Sequence, residues 1–495
     1  MAFKFLILRI LALSFGFCCA LSHAAPSASS EAMQSVNLPD SVLRALTQAG
    51  VSRQHVSIYV QALAAKPSQL PPPLIDFQST QALNPASTMK LVTSYAALGT
   101  LGPHYTWKTE VYYDGVVDHG VLQGNLYFKG YGDPQFSQDD FRRLLKRIYD
   151  SGIVSIAGDV VIDNTVFAST APAAGSFDQE PLRAYNATPN AFMVGGKSIT
   201  FKFDADASQV NIVAEPALPD VKINHQLKVG KGDCNLWRNQ LRYAIATLPA
   251  TQYAAEETTV TLSGIYPKEC TDKSLELLVV DENRFHIGLF KLLWRNLGGE
   301  FRGGLRLAEV PTHAKKYMQH ESKSLAQALI ALNKWSNNLM ARQLLLTLGA
   351  SQHSSPATEQ KGMLAVQQWL ATQGLIFNEL DIENGAGLSR IERISAQHMG
   401  QMLVGAYFHP VMPELMASLP VIGLDGTMRN RLKNSQLARQ GHFKTGSLHD
   451  VFSIAGYLLS QSGMRYVVVF MTNDAKAMLT KPAQDALLEW VYLQP

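Results

Sequence analysis

Cysteine is scarce in this chain, with four residues in 495. There is no Cys-x-x-Cys, no His-Glu-x-x-His and no Cys/His cluster at zinc spacing, so no metal and no other cofactor is expected. An excess of charge of one sign is also missing: 43 Lys+Arg stand against 40 Asp+Glu, a net +3. Without that excess, and without a basic run, nucleic acid is not an expected partner. Long apolar runs are absent too. The candidate Ile10 to Leu21 has 12 residues, short of the roughly 20 that span a bilayer, and Arg9 interrupts any longer version. At most peripheral membrane contact is expected. The 46% hydrophobic and 17% charged content is that of a globular protein, and the length calls for two or more domains.

The first residues read as an export signal. Lys4 and Arg9 supply the positive region, Ile10 to Leu21 the apolar region, and Ser22-His23-Ala24 the small residues of a cleavage site after Ala24. A membrane anchor is the competing reading. A lipidated Cys18 or Cys19 is a third, although Phe17 and Cys18 precede them where a small residue is preferred. Removing residues 1–24 leaves 41 basic against 40 acidic residues and two cysteines, Cys234 and Cys270. In an oxidising compartment, the periplasm, that even pair is expected to form a disulfide.

The texture of the chain changes twice. Residues 25–40 read as a flexible entry, and His55 to Ala62 alternates as a strand. Asn84-Pro85-Ala86-Ser87 starts a helix. From about 105 to 285 the pattern is β-rich: a hairpin of Lys108–Tyr113 and Val121–Phe128, a helix capped by Ser137, then short strands including Val154–Ile162. Helical patterning returns at Arg284–Leu297 and Leu325–Leu348. Val451–Leu459 and Met464–Thr472 form a hairpin, and a last helix begins near Pro482. The expected architecture is a discontinuous α/β domain of residues 34–104 and 286–495, with an antiparallel sheet. Residues 105–285 form a β-rich insertion of two subdomains.

Three short patterns carry chemistry. Ser87-Thr88-Met89-Lys90 sets a hydroxyl and an amine three residues apart at a helix start, on one helix face. A serine needs a neighbour to take its proton, and a lysine with a lowered pKa can do so. Ser336-Asn337-Asn338 lies where two helical patterns meet, and reads equally as a helix N-cap. Lys444-Thr445-Gly446 precedes the C-terminal hairpin, on an expected edge strand beside the nucleophile. There the lysine and hydroxyl can bind a carboxylate, and the glycine lets a substrate backbone approach. A strand-end turn is the plainer reading of that triplet. Each pattern alone is weak. In the order Ser-x-x-Lys, Ser-x-Asn, Lys-Thr-Gly they form the set shared by β-lactamases and penicillin-binding proteins.

On these motifs the chain resembles the D-alanyl-D-alanine carboxypeptidase/endopeptidases, the class C low-molecular-mass penicillin-binding proteins. The 249-residue gap between Ser87 and Ser336 fits the large insertion of that class. Four further stretches resemble it: Gly130–Pro134, Gly158–Asp163, Glu383–Arg390 and Leu424–Thr427, with departures at Tyr131 and Ala386. The resemblance implies a penicillin-binding/β-lactamase-like fold and an acyl-enzyme mechanism on peptidoglycan stem peptides, with β-lactams as inhibitors. It implies Ser87 as nucleophile, Lys90 as its base, Ser336 and Lys444 as a proton relay, and Asn338 on the peptide backbone. Thr445 holds the terminal carboxylate, and the N–H groups of Ser87 and Ser447 form the oxyanion hole. Asp163, Phe167 and Arg390 are the positions implied for the stem's diamino-acid side chain. The plainer readings are a surface turn for Asp163, core packing for Phe167 and an ion pair with an acid such as Glu392 for Arg390. A β-lactamase or esterase of the same fold, and a non-catalytic wall-binding protein, are the alternatives.

Overall fold

The computed structural model describes residues 38–168, 174–206, 208–251 and 256–495. The expected export signal lies outside them. The flexible entry was expected to run to residue 40, but helix α1 (Asp40–Ala49) already starts there.

Both ends of the chain build one antiparallel sheet. Its strands are β1 (Val56–Ala62), β2 (Ile75–Phe77), β3 (Gly441–Leu448), β4 (Val451–Leu459) and β5 (Arg465–Asn473), in the order β2-β1-β5-β4-β3. The β-branched run Val467–Val469 alternates across it, as a strand buried on both faces requires. Val467, Val469 and Met471 enter a helical core with α2 (Met89–Leu101), α3 (Leu325–Lys334), α4 (Asn338–His353) and α5 (Ala396–Phe408). Val468 and Phe470 are buried on the other face, where α6 (Lys481–Tyr492) packs on the sheet and α1 packs on α6. Helix α6 starts with a proline in its first turn, where no backbone donor is lost. The Lys-Thr-Gly strand, β3, is the sheet edge as expected.

The middle block departs from the sequence reading in three places. Lys108–Tyr113 pairs with Leu126–Gly130, while the tight turn at His119-Gly120 joins Val116–Asp118 to Val121–Gln123. The single strand expected over Val154–Ile162 is two, Ser155–Ile156 and Val160–Asp163, in different sheets. The break falls at Gly158, where any Cβ would lie 2.4 Å from the Gly124 carbonyl oxygen. The boundary expected at 285/286 falls inside helix Glu282–Asn296. Phe285, Leu289, Phe290 and Trp294 of that helix share a core with Phe128, Phe141 and Phe192. The strands after it pair with the block as well, ending with Lys315–Glu321 on Lys108–Tyr113. Strand pairing with the middle block therefore continues to Glu321.

Cys234 and Cys270 form a disulfide with Cα atoms 5.4 Å apart. It ties the segments that follow strands Val221–Gly230 and Glu257–Pro267, which pair in parallel. Closing 36 residues of chain contributes about 3–4 kcal/mol in the chain-entropy account. Cys234→Ser is therefore expected to lower the thermal midpoint by several degrees. Labelling of Ser87 by fluorescent penicillin at low temperature should be unchanged. Loss of labelling in folded variant protein would give the disulfide a role beyond stability.

Candidate active site

The nucleophile turn is built from hydrogen bonds that fix an unusual backbone. Ala86, just before Ser87, has φ +46° in a single 3-10 turn, Ala86–Thr88, ahead of α2. A left-handed alanine costs about 1–2 kcal/mol and persists only where its surroundings hold it. Here Asn84 is the main clamp. Its Oδ1 accepts the Ala86 N–H at 2.9 Å, its Nδ2 donates to Ser389 O at 2.7 Å, and its backbone exchanges hydrogen bonds with the Asn473 side chain. Ser453 Oγ on β4 donates to Pro85 O at 2.6 Å.

Lys90 Nζ donates to Ser87 Oγ at 2.9 Å, as the three-residue spacing on one helix face requires. The amine is fully buried. It also donates to Asn338 Oδ1 at 2.6 Å and to the Ala386 carbonyl oxygen. Burial, and secondarily the neighbouring Lys444, hold its pKa well below the ordinary lysine value, while Glu392 opposes them. A buried amine with a lowered pKa can take a proton from a hydroxyl.

Ser336-Asn337-Asn338 turns out to be both a cap and a site. Asn337 caps α4 by accepting the Met340 N–H at 3.0 Å, while its neighbours reach the two lysines. Ser336 is left-handed at φ +55°, and its Oγ accepts from Lys444 Nζ at 2.8 Å. Burial brings Lys444 down to about 7. Thr445 Oγ1 donates to Thr427 Oγ1 at 2.9 Å. At Gly446 a Cβ would lie 2.2 Å from Ser453 Oγ and 3.0 Å from the Ser87 nitrogen, so β3 runs directly against the nucleophile's amide. Ser447 is exposed on the same strand, its Oγ 3.2 Å from Met478 Sδ. Ser87, Lys90, Ser336, Asn338, Lys444 and Thr445 are thus brought together from segments more than 350 residues apart.

The other three expected residues lie elsewhere. Asp163 is fully buried, and its carboxylate accepts from Thr165 N and Oγ1, Val310 N and Lys129 Nζ. It forms no hydrogen bond with the catalytic cluster. Phe167 packs on Gly132 and bridges to Ala357. Arg390 pairs with Asp450 at 2.7 Å, both half-exposed, and lies 4.5 Å from the Phe177 ring centroid. Glu392, the partner suggested by sequence, is instead buried. Its Oε1 accepts the Asn384 and Gly385 N–H groups and shapes the loop that presents Ala386 O to Lys90. Burial raises its pKa to about 7. Glu392, Asn84 and Thr427 carry no motif of their own. The only sequence signal was their place in or beside the Glu383–Arg390, Ser87 and Leu424–Thr427 stretches.

A family model described as the D-Ala-D-Ala carboxypeptidase 3 (S13) family matches residues 39–492. The chain belongs to that family. It is 26% identical over 404 residues to the D-alanyl-D-alanine carboxypeptidase DacB of Haemophilus influenzae, covering 81% of this chain and 82% of that protein. It is 27% identical over 417 residues to the D-alanyl-D-alanine carboxypeptidase of Actinomadura sp. strain R39, covering 82% and 76%. Among solved structures, penicillin binding protein 4 (dacB) of H. influenzae superposes with a TM-score of 0.73 at 24% identity, over 92% of this chain and 100% of that one. The chain shares that protein's fold, an antiparallel sheet with helices on both faces. Membership makes it a serine hydrolase of the D-Ala-D-Ala carboxypeptidase family.

Gly387 tests how tightly this S13 site is built. It has φ +80°, and a Cβ there would lie 1.9 Å from the Ala86 carbonyl oxygen and 2.6 Å from the Ser87 nitrogen. Gly387→Ala must displace the nucleophile turn. Penicillin acylation is expected to fall tenfold or more, with stability down by at least about 1–2 kcal/mol. Stopped-flow acylation and thermal melts read the two effects. Parental acylation would mean that the turn tolerates the shift.

Proposed function

We propose that the chain is a periplasmic serine-type D-Ala-D-Ala carboxypeptidase and DD-endopeptidase that acts on peptidoglycan stem peptides and is inhibited by β-lactams. The observation that carries this reading is the 2.9 Å contact of Ser87 Oγ with a buried Lys90 amine of lowered pKa. In the reaction, neutral Lys90 takes the Ser87 proton while Oγ attacks the carbonyl of the penultimate D-alanine. The N–H groups of Ser87 and Ser447 stabilise the oxyanion, at roughly 3–4 kcal/mol per donor. The proton taken by Lys90 is relayed through Lys444 and Ser336 to the leaving amine, so the acyl-enzyme forms with Lys90 neutral again and D-alanine or the cross-linked peptide departs. Lys90 then takes a proton from water as the water oxygen attacks the ester, and returns it to Ser87 Oγ as the shortened acid leaves. Asn338 orients the peptide backbone, and Thr445 with Lys444 holds the terminal carboxylate. Arg390 is the accessible stem-binding candidate, while Asp163 is held by donors within the middle block and Phe167 packs that block against Leu346 and Ala357. Export to the periplasm accords with the Cys234–Cys270 disulfide. Among the described residues no helix is long and apolar enough to cross a membrane.

Fluorescent penicillin should label the parent and not Ser87→Ala. Digested muropeptides should lose terminal D-alanine or crosslinks. Fast penicillin hydrolysis with intact muropeptides would point to a β-lactamase instead.

The pH dependence follows from Lys444. Its ammonium attracts the substrate carboxylate below about 7 and is neutral above it. For a D-Ala-D-Ala peptide, kcat/KM should therefore fall as pH rises through about 7. Bound carboxylate favours the ammonium, so the limb in kcat should lie at higher pH. A substrate lacking the carboxylate should show no such limb, and one that did would remove Lys444 from carboxylate binding.

A further inference from the structure

Beside the catalytic cluster runs a trench that the chemistry above leaves unused. Its inner part, about 380 Å³, lies between Ser336 and Asn338 on one side and Asp133 of the middle block on the other. Its outer part, about 580 Å³, carries Arg183 and Arg238. The two parts share Tyr185, Glu276 and Trp335 in their linings and so lie side by side. Hollows of this size hold a whole ligand of several residues, far more than a departing alanine needs.

The lining is specific. Trp335 is 61% exposed and Tyr185 38% exposed, and both line the two hollows. A guanidinium lies 5.9 Å from each ring centroid, Arg429 at Trp335 and Arg183 at Tyr185. The arginine ion pairs among the described residues involve other arginines, not Arg183, Arg238 or Arg429. Arg183 Nε is buried without a hydrogen-bond partner among the described residues. The nearby acids Asp178 and Glu180 accept from Tyr185, Asn186 and Tyr243. Glu276 is the one carboxylate in the outer part. Arginines outside any carboxylate ion pair, next to exposed rings, match an extended peptide that carries free carboxylates.

We propose that this trench binds the second peptide strand of a cross-linked substrate. Its free carboxylates sit on Arg183 and Arg238, and its backbone lies over Tyr185 and Trp335. The inner part is lined by Ser336 and Asn338 of the second motif, whose side chains reach Lys444 and Lys90, so a strand joined to the scissile peptide on that side can continue into it. The inference rests on the acyl-transfer reading of the site and adds the substrate that this side was built for.

The test uses the mature protein, a cross-linked muropeptide dimer, an uncross-linked pentapeptide monomer and fluorescent penicillin. For the Arg183→Ala/Arg238→Ala double variant, kcat/KM on the dimer should fall tenfold or more, chiefly through KM. Monomer cleavage and penicillin acylation should stay within twofold of the parent. Arg183→Lys should retain most dimer activity, and Arg183→Glu should lose more than Arg183→Ala. Dimer cleavage at the parental rate in the double variant overturns the proposal, as does an equal loss on dimer and monomer. Inhibition of parental dimer cleavage by a peptide-free glycan chain, lost in Tyr185→Ala, overturns it in favour of sugar stacking. A parent that fails to acylate penicillin would sink the acyl-transfer reading itself, a result distinguishable from any of these.

Discussion

The buried amine of Lys90 is the constraint around which the rest of the site is arranged. An ammonium taken out of water without partners is costly by several kcal/mol, so a lysine in such a place is either neutral or surrounded by acceptors. Here it has three acceptors, each from a different segment: Ser87 Oγ at the start of α2, Asn338 Oδ1 at the start of α4, and Ala386 O in a loop. None of the three can move far without stranding the amine. The loop is held in turn by Glu392, which grips two of its backbone N–H groups. The second lysine, Lys444, is buried on the facing strand and adds to the pressure toward the neutral form. The same burial that lowers the Lys90 pKa therefore fixes the relative positions of Ser87, Asn338 and Ala386.

The backbone around the site carries the corresponding cost. Ala86 and Ser336, one before the nucleophile and one within the second motif, are non-glycine residues at positive φ. Such conformations are retained where neighbours over-determine them. Asn84 does this for the first by bonding to Ala86, Ser389 and Asn473 at once. For the second, the Asn337 cap fixes the start of α4 while Lys444 holds the Ser336 hydroxyl. The antiparallel sheet behind them is buried on both faces and supplies a rigid edge, β3, on which Lys444, Thr445 and Gly446 are presented.

The sequence reading was strongest where chemistry is local. The Ser87–Lys90 pair depends on one helical spacing, and the edge-strand place of Lys444 followed from the hairpin after it. Reading fell short where a residue's surroundings come from far along the chain. An ion pair of Arg390 with a neighbour such as Glu392 was the plainer reading beside stem binding because the two are close in sequence, yet Asp450 takes the arginine and Glu392 turns inward. Glu282–Asn296 has the amphipathic pattern of any surface helix, so its sequence does not say which neighbours it packs on. Only its packing on Phe128, Phe141 and Phe192 shows which core it serves. The strand at Val154–Ile162 was read as continuous because periodicity does not register that Gly158 crosses another backbone.

The sequence by itself determined the order and spacing of the three motifs, the family they resemble and the cysteine pairing. Each of these rests on local periodicity, motif order or simple parity. Only the tertiary structure decided which groups surround each lysine, and so which proton each can take. It also decided that Asp163 is saturated by donors, and that a trench with uncompensated arginines opens beside Ser336. These are properties of burial and of contacts between distant segments, and one-dimensional spacing holds no information about how much water is left at a given atom.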